Sequence, residues 1–354
     1  MPWMRQEIGE QPAAVTRVLA AEGEKAEALA AAARERGVEL LFVAARGTSD
    51  HAAILAKYLF EIELGLPVCL AAPSVFTLYE APMRLDRALV LGISQSGEAA
   101  DVSEIVQRAR DRGVLTACIT NHPGSRLAGA AEYPLLCHAG EEQSLPATKT
   151  YTTSLALLYR LAAATGARAG LRAALEAAPA AMEAALSLDE PLAEMVERYR
   201  YMDECVVLAR GVNQATAMET ALKLTETSYV RAHPWSAADF VHGPIAAVDE
   251  GYPCILYALH GRAQPAMLEL ARRLLERRAE CVLITDSDEA LHGLEKPEET
   301  GACLREVRLP ICIDEMLTPL VAIVAGQLFA YHLARVKGRD PDAPRGLRKV
   351  TVTR

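Results

Sequence analysis

Short runs of apolar and often β-branched residues alternate with helix-forming segments through the first half of the chain. The runs fall at residues 40–44, 68–71, 88–93, 115–120 and 133–136. Runs of this kind, with helical patterns between them, are typical of parallel strands covered on both faces of a sheet. The alternation therefore predicts an α/β fold built on a parallel sheet.

The same alternation restarts in the second half of the chain. Its apolar runs fall at residues 205–208, 254–257, 281–285 and 303–309. Between the halves lies an alanine-rich segment, 171–188, whose composition favours a helix. We expect Pro179 to break that helix, and we interpret the segment as a connector.

The two halves share a register that indicates an internal duplication. Ala45-Arg46-Gly47 ends the first predicted strand of one half, and Ala209-Arg210-Gly211 ends that of the other, 164 residues later. Phe76 and Phe240 recur at the same offset. The duplication predicts two similar α/β lobes that face one another. The predicted boundaries are an N-terminal helical segment (1–30), a first lobe (31–170), the connector (171–195), a second lobe (196–338) and a C-terminal tail (339–354).

Charge and hydropathy argue against nucleic-acid and membrane partners. Lys and Arg number 37 against 46 Asp and Glu, a formal net charge of −9, which repels phosphate backbones and anionic lipid. The first residues lack the apolar core of a signal peptide. The most apolar stretch, 318–331, is shorter than the roughly 20 residues that span a bilayer, so we expect a buried helix there.

The eight cysteines form no C-x-x-C motif and no Cys/His cluster at metal-binding spacing. Cys118, Cys205 and Cys281 fall inside predicted strands, where a thiol behaves as a small hydrophobic group. We therefore predict core cysteines, a reduced cytoplasmic protein and no metal or cofactor.

Ligands of open parallel sheets bind beyond the carboxyl ends of the strands, so the residues there are candidate site residues. Gly47-Thr48-Ser49 follows the first strand, and Ser94-Gln95-Ser96-Gly97 follows the third. Hydroxyl groups and glycine at a helix N-terminus favour an anion such as phosphate. The alternative is that the serines are only N-caps. Thr148, in a third loop, is expected either to cap the next helix or to contact a sugar hydroxyl.

In the second half, Glu219, Lys223 and Glu226 lie on one face of a predicted helix. Such a set is often a salt bridge on a solvated face. Its place before His242-Gly243-Pro244 instead suggests a carboxylate and a histidine directed at a cleft. The tail around Lys349 is either a basic terminus or an amine brought into a pocket.

These motifs together resemble the double sugar-isomerase (SIS) module, which forms the isomerase half of glucosamine-6-phosphate synthase and the stand-alone amino-sugar-phosphate deaminases and deglycases. The resemblance covers nearly the whole chain. It implies two tandem flavodoxin-like, three-layer α/β lobes. It also implies a homodimer whose phosphosugar sites are built partly from the neighbouring subunit.

The resemblance also implies roles for individual residues. Glu226 matches the carboxylate that moves a proton between C1 and C2, and His242 matches the histidine that opens the sugar ring. Lys349 matches the lysine that forms a Schiff base with the ketose, and Lys223 a lysine beside the base. The strand-end residues that match the phosphate and substrate contacts are Gly47, Thr48, Ser49, Ser94, Gln95, Ser96 and Thr148.

The chain departs from the synthase pattern at Ala99 and Ala147, where hydroxyl residues are usual, and at His233 and Arg348. Met1-Pro2 leads almost directly into the module, so we expect no glutaminase domain of the kind that precedes it in the synthase. We therefore expect a glucosamine-6-phosphate deaminase. The alternatives are a deglycase of sugar-phosphate–amino-acid adducts, the isomerase half of a glutamine-dependent transaminase, and a phosphosugar sensor without catalysis.

Overall fold

Two compact units make up the chain in the computed structural model, which describes residues 2–288, Ala290, Leu294 and 303–347. One unit is Glu10–Pro179, and the other is Ala180–Arg345 together with the first residues of the chain. The division falls inside the segment interpreted as a connector. Each unit is described below by itself.

The first unit contains a five-stranded parallel sheet with strand order β2-β1-β3-β4-β5. The strands are β1 (Leu40–Ala44), β2 (Val68–Leu70), β3 (Ala88–Ile93), β4 (Leu115–Thr120) and β5 (Tyr133–Leu136). The helices are α1 (Trp3–Ala21), α2 (Gly23–Glu35), α3 (Thr48–Leu64), α4 (Pro73–Thr77), α5 (Ala100–Asp111), α6 (Arg126–Ala130) and α7 (Lys149–Thr165). Strands β3 and β4 are buried at every residue, as their uninterrupted apolar sequences predict.

The second unit contains another five-stranded parallel sheet, with order β10-β9-β8-β6-β7. The strands are β6 (Glu204–Ala209), β7 (Arg231–Ser236), β8 (Pro253–Tyr257), β9 (Glu280–Thr285) and β10 (Cys303–Arg308). The helices are α8 (Ala169–Ala185), which begins in the first unit, α9 (Asp189–Met195), α10 (Gln214–Ser228), α11 (Ala237–Val241), α12 (Gln264–Glu276) and α13 (Thr318–Val336).

Numbered within its own unit, each sheet has the strand order 2-1-3-4-5 of the flavodoxin-like fold. The glycines after the first strands adopt the same left-handed backbone, with φ of +56° at Gly47 and +66° at Gly211. Phe76 on α4 and Phe240 on α11 are both buried in their cores. The predicted duplication and the α/β fold are therefore confirmed.

Two local predictions differ from the structure. Strand β7 was not predicted, because it is an edge strand with alternating exposure and contains Pro234, both of which weaken the apolar signal. Pro179 does not break α8, which continues through it. Leu175 and Met182, on either side of the proline, are buried, and this packing outweighs the roughly 3 kcal/mol penalty of an interior proline.

Helix α13 is long and apolar enough to cross a membrane by length and composition, but 94% of its most apolar window is buried within the protein. The prediction of a buried helix is thus confirmed. Gly326 lets α13 approach α10 closely, because a Cβ there would lie 2.2 Å from Thr220 Oγ1 and 2.5 Å from the Tyr257 hydroxyl. Those two groups are hydrogen bonded at 2.6 Å. The packing of α13 therefore sets the position of α10.

The cysteines predicted for the strands are buried. Cys118, Cys205 and Cys281 have no exposed surface. Burial raises the pKa of Cys118 and of Cys205 to about 12. These thiols are core groups, as predicted.

Candidate functional site

The loop after β1 turns sharply into α3. Gly47 precedes the helix in the left-handed region, which glycine adopts without strain, and no heavy atom lies near the position of a Cβ. Thr48 and Ser49 are the first two residues of α3. Ser49 is therefore inside the first turn rather than at the N-cap, so capping does not explain it.

The loop after β3 contains the second serine motif, and its serines are not N-caps either. Helix α5 begins only at Ala100. The Ser94 hydroxyl accepts a hydrogen bond from Gly97 N–H at 3.2 Å, and the Ser96 hydroxyl accepts one from Glu98 N–H at 3.3 Å. Gly97 has φ of +68°, and a Cβ there would lie 2.1 Å from Ser125 Oγ. The tight turn therefore requires glycine.

A small cavity lies beside these strand ends, with a volume of about 20 Å³, room for about one water molecule. Of the predicted site residues, it brings together Thr48, Ser49 and Gln95, whereas Gly47, Ser94, Ser96 and Thr148 are not among its lining residues. The full lining is Thr48, Ser49, Ala52, Gln95, Ala147, Thr150, Tyr151 and Ser154.

Helix α7 supplies the part of the lining that was not predicted. Thr150, Tyr151 and Ser154 lie on one face at helical spacing, which was the available signal in the sequence. Thr148 precedes the helix, and its buried hydroxyl has no hydrogen-bond partner among the described residues. The side chain of Thr148 therefore does not cap α7.

The buried carboxylate of Glu142 holds the start of α7 instead. It accepts hydrogen bonds from Thr148 N–H at 2.9 Å, Thr150 N–H at 3.1 Å and the Thr150 hydroxyl at 2.7 Å. A carboxylate at a helix N-terminus also interacts favourably with the helix dipole. Glu142 was not predicted, and it fixes one wall of the cavity.

An ion pair links the loop after β1 to helix α5 in the first unit. Arg46, next to Gly47, donates from Nε to Asp101 at 2.8 Å and places a second guanidinium nitrogen 2.8 Å from the same oxygen. Asp101 is buried in the first turn of α5 and also accepts from Val102 N–H at 2.9 Å. The loop after β1 is thereby tied to the helix after β3.

In the second unit, α10 carries an ion-pair cluster at its core-facing side. Lys223 Nζ lies 2.6 Å from Glu226 Oε2 and 3.3 Å from Glu219 Oε1. Lys223 and Glu219 are fully buried, whereas 21% of the Glu226 side chain is exposed. This cluster is not a salt bridge on a solvated face.

The three charged side chains of this cluster differ in their exposure to solvent. Burial by itself lowers the pKa of Lys223, but the negative charges of Glu219 and Glu226 and their hydrogen bonds raise it above its ordinary value. The ammonium therefore stays protonated beside the two carboxyl groups. Glu226 is the member of the set that a solute can reach.

His242 follows α11 and is exposed. Lys349 lies outside the described residues. The chain leading to it is anchored at the end of α10, where Arg345 N–H donates to the Tyr229 hydroxyl at 2.9 Å and the Arg345 guanidinium stacks on the Tyr229 ring at 4.4 Å.

The folds of the two units and the strand-end cavity define a duplicated flavodoxin-like α/β protein with a polar site at the sheet edge. The chain belongs to the SIS domain family, whose model matches residues 37–164 and 202–291. The resemblance found in the sequence is thus confirmed.

Among curated proteins, the chain is 36% identical over 352 residues to a glutamine–fructose-6-phosphate aminotransferase of Methanothermobacter thermautotrophicus. The match covers 99% of this chain but 57% of that protein. The chain therefore spans little more than half the length of such relatives.

Two solved structures cover 97% of this chain. One, assigned as a phosphosugar isomerase of Silicibacter pomeroyi, is 34% identical, with a TM-score of 0.85 and all of that chain covered. The other, the C-terminal domain of glucosamine-fructose-6-phosphate aminotransferase from Francisella tularensis, is 26% identical, with a TM-score of 0.86 and 98% of that chain covered.

Proposed function

We propose that this protein is an amino-sugar-phosphate isomerase that converts glucosamine 6-phosphate to fructose 6-phosphate and ammonia. The observation that carries the proposal is the cluster on α10, in which a buried ammonium holds a partly exposed carboxylate 2.6 Å away. An aldose–ketose interconversion needs a base that can take a proton from one carbon and return it to the next. Glu226 has the access for that role, with the Lys223 ammonium beside it.

The first unit supplies the anchor for the substrate's phosphate. Thr48 and Ser49 offer hydroxyl groups in the first turn of α3, where the helix dipole favours a dianion, and Gln95 offers an amide. The present cavity of about 20 Å³ holds about one water molecule, so its side chains must move to admit a phosphate group.

The chemical step balances without an external reductant or oxidant. His242 moves a proton between the ring oxygen and the C1 hydroxyl, which opens the sugar to its aldehyde. Glu226 removes the C2 proton while the C1 carbonyl oxygen takes a proton from the substrate's ammonium group, which gives an enolamine with a C1 hydroxyl. Glu226 then returns its proton to C1, which leaves an iminium at C2. Water adds to C2, the carbon–nitrogen bond breaks and ammonia leaves, so that the ketone of fructose 6-phosphate forms.

Lys223 acts in this proposal as a positioning residue, since its side chain is fully buried. Lys349 is assigned the Schiff-base role by family resemblance, and the anchoring of Arg345 against Tyr229 ties the chain down four residues before it. A homodimer with shared sites and a cytoplasmic location belong to the same proposal.

The test is to incubate the purified chain with glucosamine 6-phosphate and to measure ammonia and fructose 6-phosphate in separate assays. Equal amounts of both, abolished by Glu226→Gln, support the deaminase. Amine release only from a sugar-phosphate–amino-acid adduct would identify a deglycase. Binding without turnover of either substrate would identify a sensor and contradict the enzymatic proposal.

The curated relatives are named as aminotransferases of fructose 6-phosphate, so the reverse reaction is a second candidate function. In that direction the enzyme would form glucosamine 6-phosphate from fructose 6-phosphate and ammonia. Fructose 6-phosphate and an ammonium salt are the substrates for that arm, with glucosamine 6-phosphate as the measured product. Because Glu226 serves both directions by microscopic reversibility, Glu226→Gln must lower both rates. A variant that lost one direction alone would show that Glu226 is not the shared base.

A further inference from the structure

Three side chains of metal-binding type converge at the carboxyl edge of the second sheet, away from the strands that flank Glu226. His260 follows β8, Asp286 follows β9 and Cys312 follows β10. One ligand atom from each lies within 4.8 Å of the other two. No cluster at metal-binding spacing is visible in the sequence, because the three residues are up to 52 positions apart. They meet only through the strand order β10-β9-β8.

The geometry points to a common cation rather than to a proton relay. Cys312 Sγ lies 3.4 Å from His260 Nδ1 and 3.8 Å from Nε2, and Asp286 is hydrogen bonded to the same Nδ1. A Cys-His-Asp relay would place the carboxylate and the thiol on opposite ring nitrogens. Here the sulfur is almost equally far from the two ring nitrogens and therefore lies over the ring, not in line with Nε2, so a relay is not formed.

The spacing also suits a tetrahedral ion. With Zn–S of about 2.3 Å and Zn–N of about 2.0 Å, sulfur and nitrogen ligands of one zinc ion lie about 3.5 Å apart. The observed sulfur–nitrogen distance is 3.4 Å. To admit the ion, the imidazole must turn and separate from the Asp286 carboxylate, to which its Nδ1 is hydrogen bonded in this structure.

The three ligand-bearing segments are held in place by the sheet itself. Ladder hydrogen bonds continue past the strand ends, from Ala258 N–H to Ile284 C=O at 2.9 Å and from Leu309 N–H to Thr285 C=O at 2.8 Å. Asp286 Oδ1 also accepts from His260 N–H at 2.7 Å. The site is therefore preorganised on strand ends.

A further hydrogen bond joins the loops that carry His260 and Cys312. Glu315 Oε1 accepts from Arg262 N–H at 2.7 Å. Gly261, with φ of +122°, permits this contact, because a Cβ there would lie 2.1 Å from Glu315 Cδ. Any other residue at position 261 would displace the glutamate.

We propose that His260, Asp286 and Cys312 form a site for a divalent transition-metal ion of the zinc type, with the fourth position open to water or an external ligand. A thiolate, a carboxylate and a neutral imidazole give the site a charge of about −2, which a divalent cation neutralises. The sulfur ligand selects zinc or cobalt over magnesium and calcium, which prefer oxygen. Asp286 is buried and Cys312 exposed, so an ion can enter from solvent.

The test is a cobalt titration of chelator-treated protein, followed by absorption spectroscopy. We expect one Co²⁺ per chain, a thiolate-to-cobalt charge-transfer band, tetrahedral ligand-field bands in the visible, and displacement by Zn²⁺ but not by Mg²⁺. Cys312→Ser should abolish the charge-transfer band, and His260→Ala should weaken cobalt binding by more than about 100-fold, since even outer partners of metal ligands are worth 10–100-fold. Cys69→Ser, which removes an exposed thiol of the first unit, is the matched control and should leave the spectrum unchanged.

Circular dichroism separates a lost ligand from a lost fold, because both variants alter residues with exposed or partly exposed side chains. Zn²⁺ should also raise the melting temperature of the wild type and of Cys69→Ser, but not that of the Cys312→Ser/His260→Ala double variant. Absence of a thiolate band in the folded wild type, or the same band in Cys312→Ser, would overturn the proposal. Neither result bears on the turnover of glucosamine 6-phosphate, so the two proposals fail separately.

Discussion

Lys223 Nζ lies 2.6 Å from Glu226 Oε2, where a fully buried ammonium meets a carboxylate that solvent can reach. Glu219, one turn earlier on α10, is buried on the other side of the same ammonium. Two carboxyl groups share one buried ammonium, and the accessible end of the cluster is Glu226. This asymmetry separates the proposed base from the residues that position it.

Glu226→Gln keeps the size of the side chain but removes the base. We expect turnover of glucosamine 6-phosphate to fall by about 10²–10⁴-fold. Binding of the phosphosugar should be largely retained, which isothermal titration calorimetry can measure. Glu276→Gln, an exposed residue at the end of α12, is the control and should keep full activity. Normal turnover by Glu226→Gln would refute the assignment of the base.

Lys223→Met removes the buried ammonium that lies between Glu219 and Glu226. Removing one member of a buried pair destabilises a protein by about 3–5 kcal/mol, which urea unfolding can measure. Because the pKa of Lys223 is raised above 10.5, the pair's contribution is fully present below that pH and is lost only as the pH rises through the folded-state value. The stability difference from wild type should therefore be equal at about pH 7 and about pH 9. A difference that shrank over this interval would contradict the raised pKa.

Asp189 makes the second unit sensitive to acid. Its carboxylate binds Arg5 at 2.7 Å and His332 at 2.6 Å, and although burial raises its pKa, these hydrogen bonds and charges lower it below the ordinary 3.8. The stability that a lowered pKa provides is present above 3.8 and is lost as the pH falls through the folded-state value. Asp189→Asn should melt at a lower temperature than wild type at neutral pH, and the gap should close on acidification below 3.8.

The exposed cysteine thiols should react with an alkylating reagent in the folded protein, and the buried ones should not. Burial raises the pKa of Cys137 to about 11 and that of Cys118 to about 12. At about pH 8 the thiolate fraction of each is about one in a thousand or less, and the buried sulfur is shielded as well. Iodoacetamide should label Cys69 and Cys312 in the folded, chelator-treated protein and the other two only after denaturation, as peptide mass spectrometry can show. Labelling of Cys118 in folded protein would contradict the buried assignment.

Much of the fold could be predicted because strands buried on both faces have uninterrupted apolar sequences. Residues 88–93 and 115–120 were predicted with the bounds that the structure gives to β3 and β4. Strand β7 could not be predicted in this way. It is an edge strand with alternating exposure and contains Pro234, so it lacks an uninterrupted apolar sequence. The continuation of α8 through Pro179 depends on tertiary packing, which local propensity does not report.

The site was predicted only in part, for a physical reason. Residues at strand ends can be located once the strands are known, so Thr48, Ser49 and Gln95 were accessible to sequence reasoning. Glu142 was not, because its contacts depend on how a loop folds back on α7. The spacing of Glu219, Lys223 and Glu226 is the same whether the helix face is solvated or buried. Only the structure shows which of the three is exposed.

The last prediction concerns which serine carries the phosphate. Ser49 lines the strand-end cavity beside Gln95, whereas Ser96 does not line it and its hydroxyl accepts from Glu98 N–H. A hydrogen bond to a charged group contributes about 1.5–3 kcal/mol, so Ser49→Ala should weaken binding of glucosamine 6-phosphate by about 10–100-fold.

The effect should fall on KM and leave kcat nearly unchanged, because a phosphate remote from the reacting carbons is bound equally in the ground and transition states. Ser96→Ala should have a smaller effect, and Ser74→Ala, on α4 and outside the cavity, should have none. Steady-state kinetics and calorimetry on the three variants give the order directly. If Ser96→Ala weakened binding more than Ser49→Ala, the phosphate would be held by the loop after β3 rather than by the cavity at the start of α3, and the assignment of that cavity would be wrong.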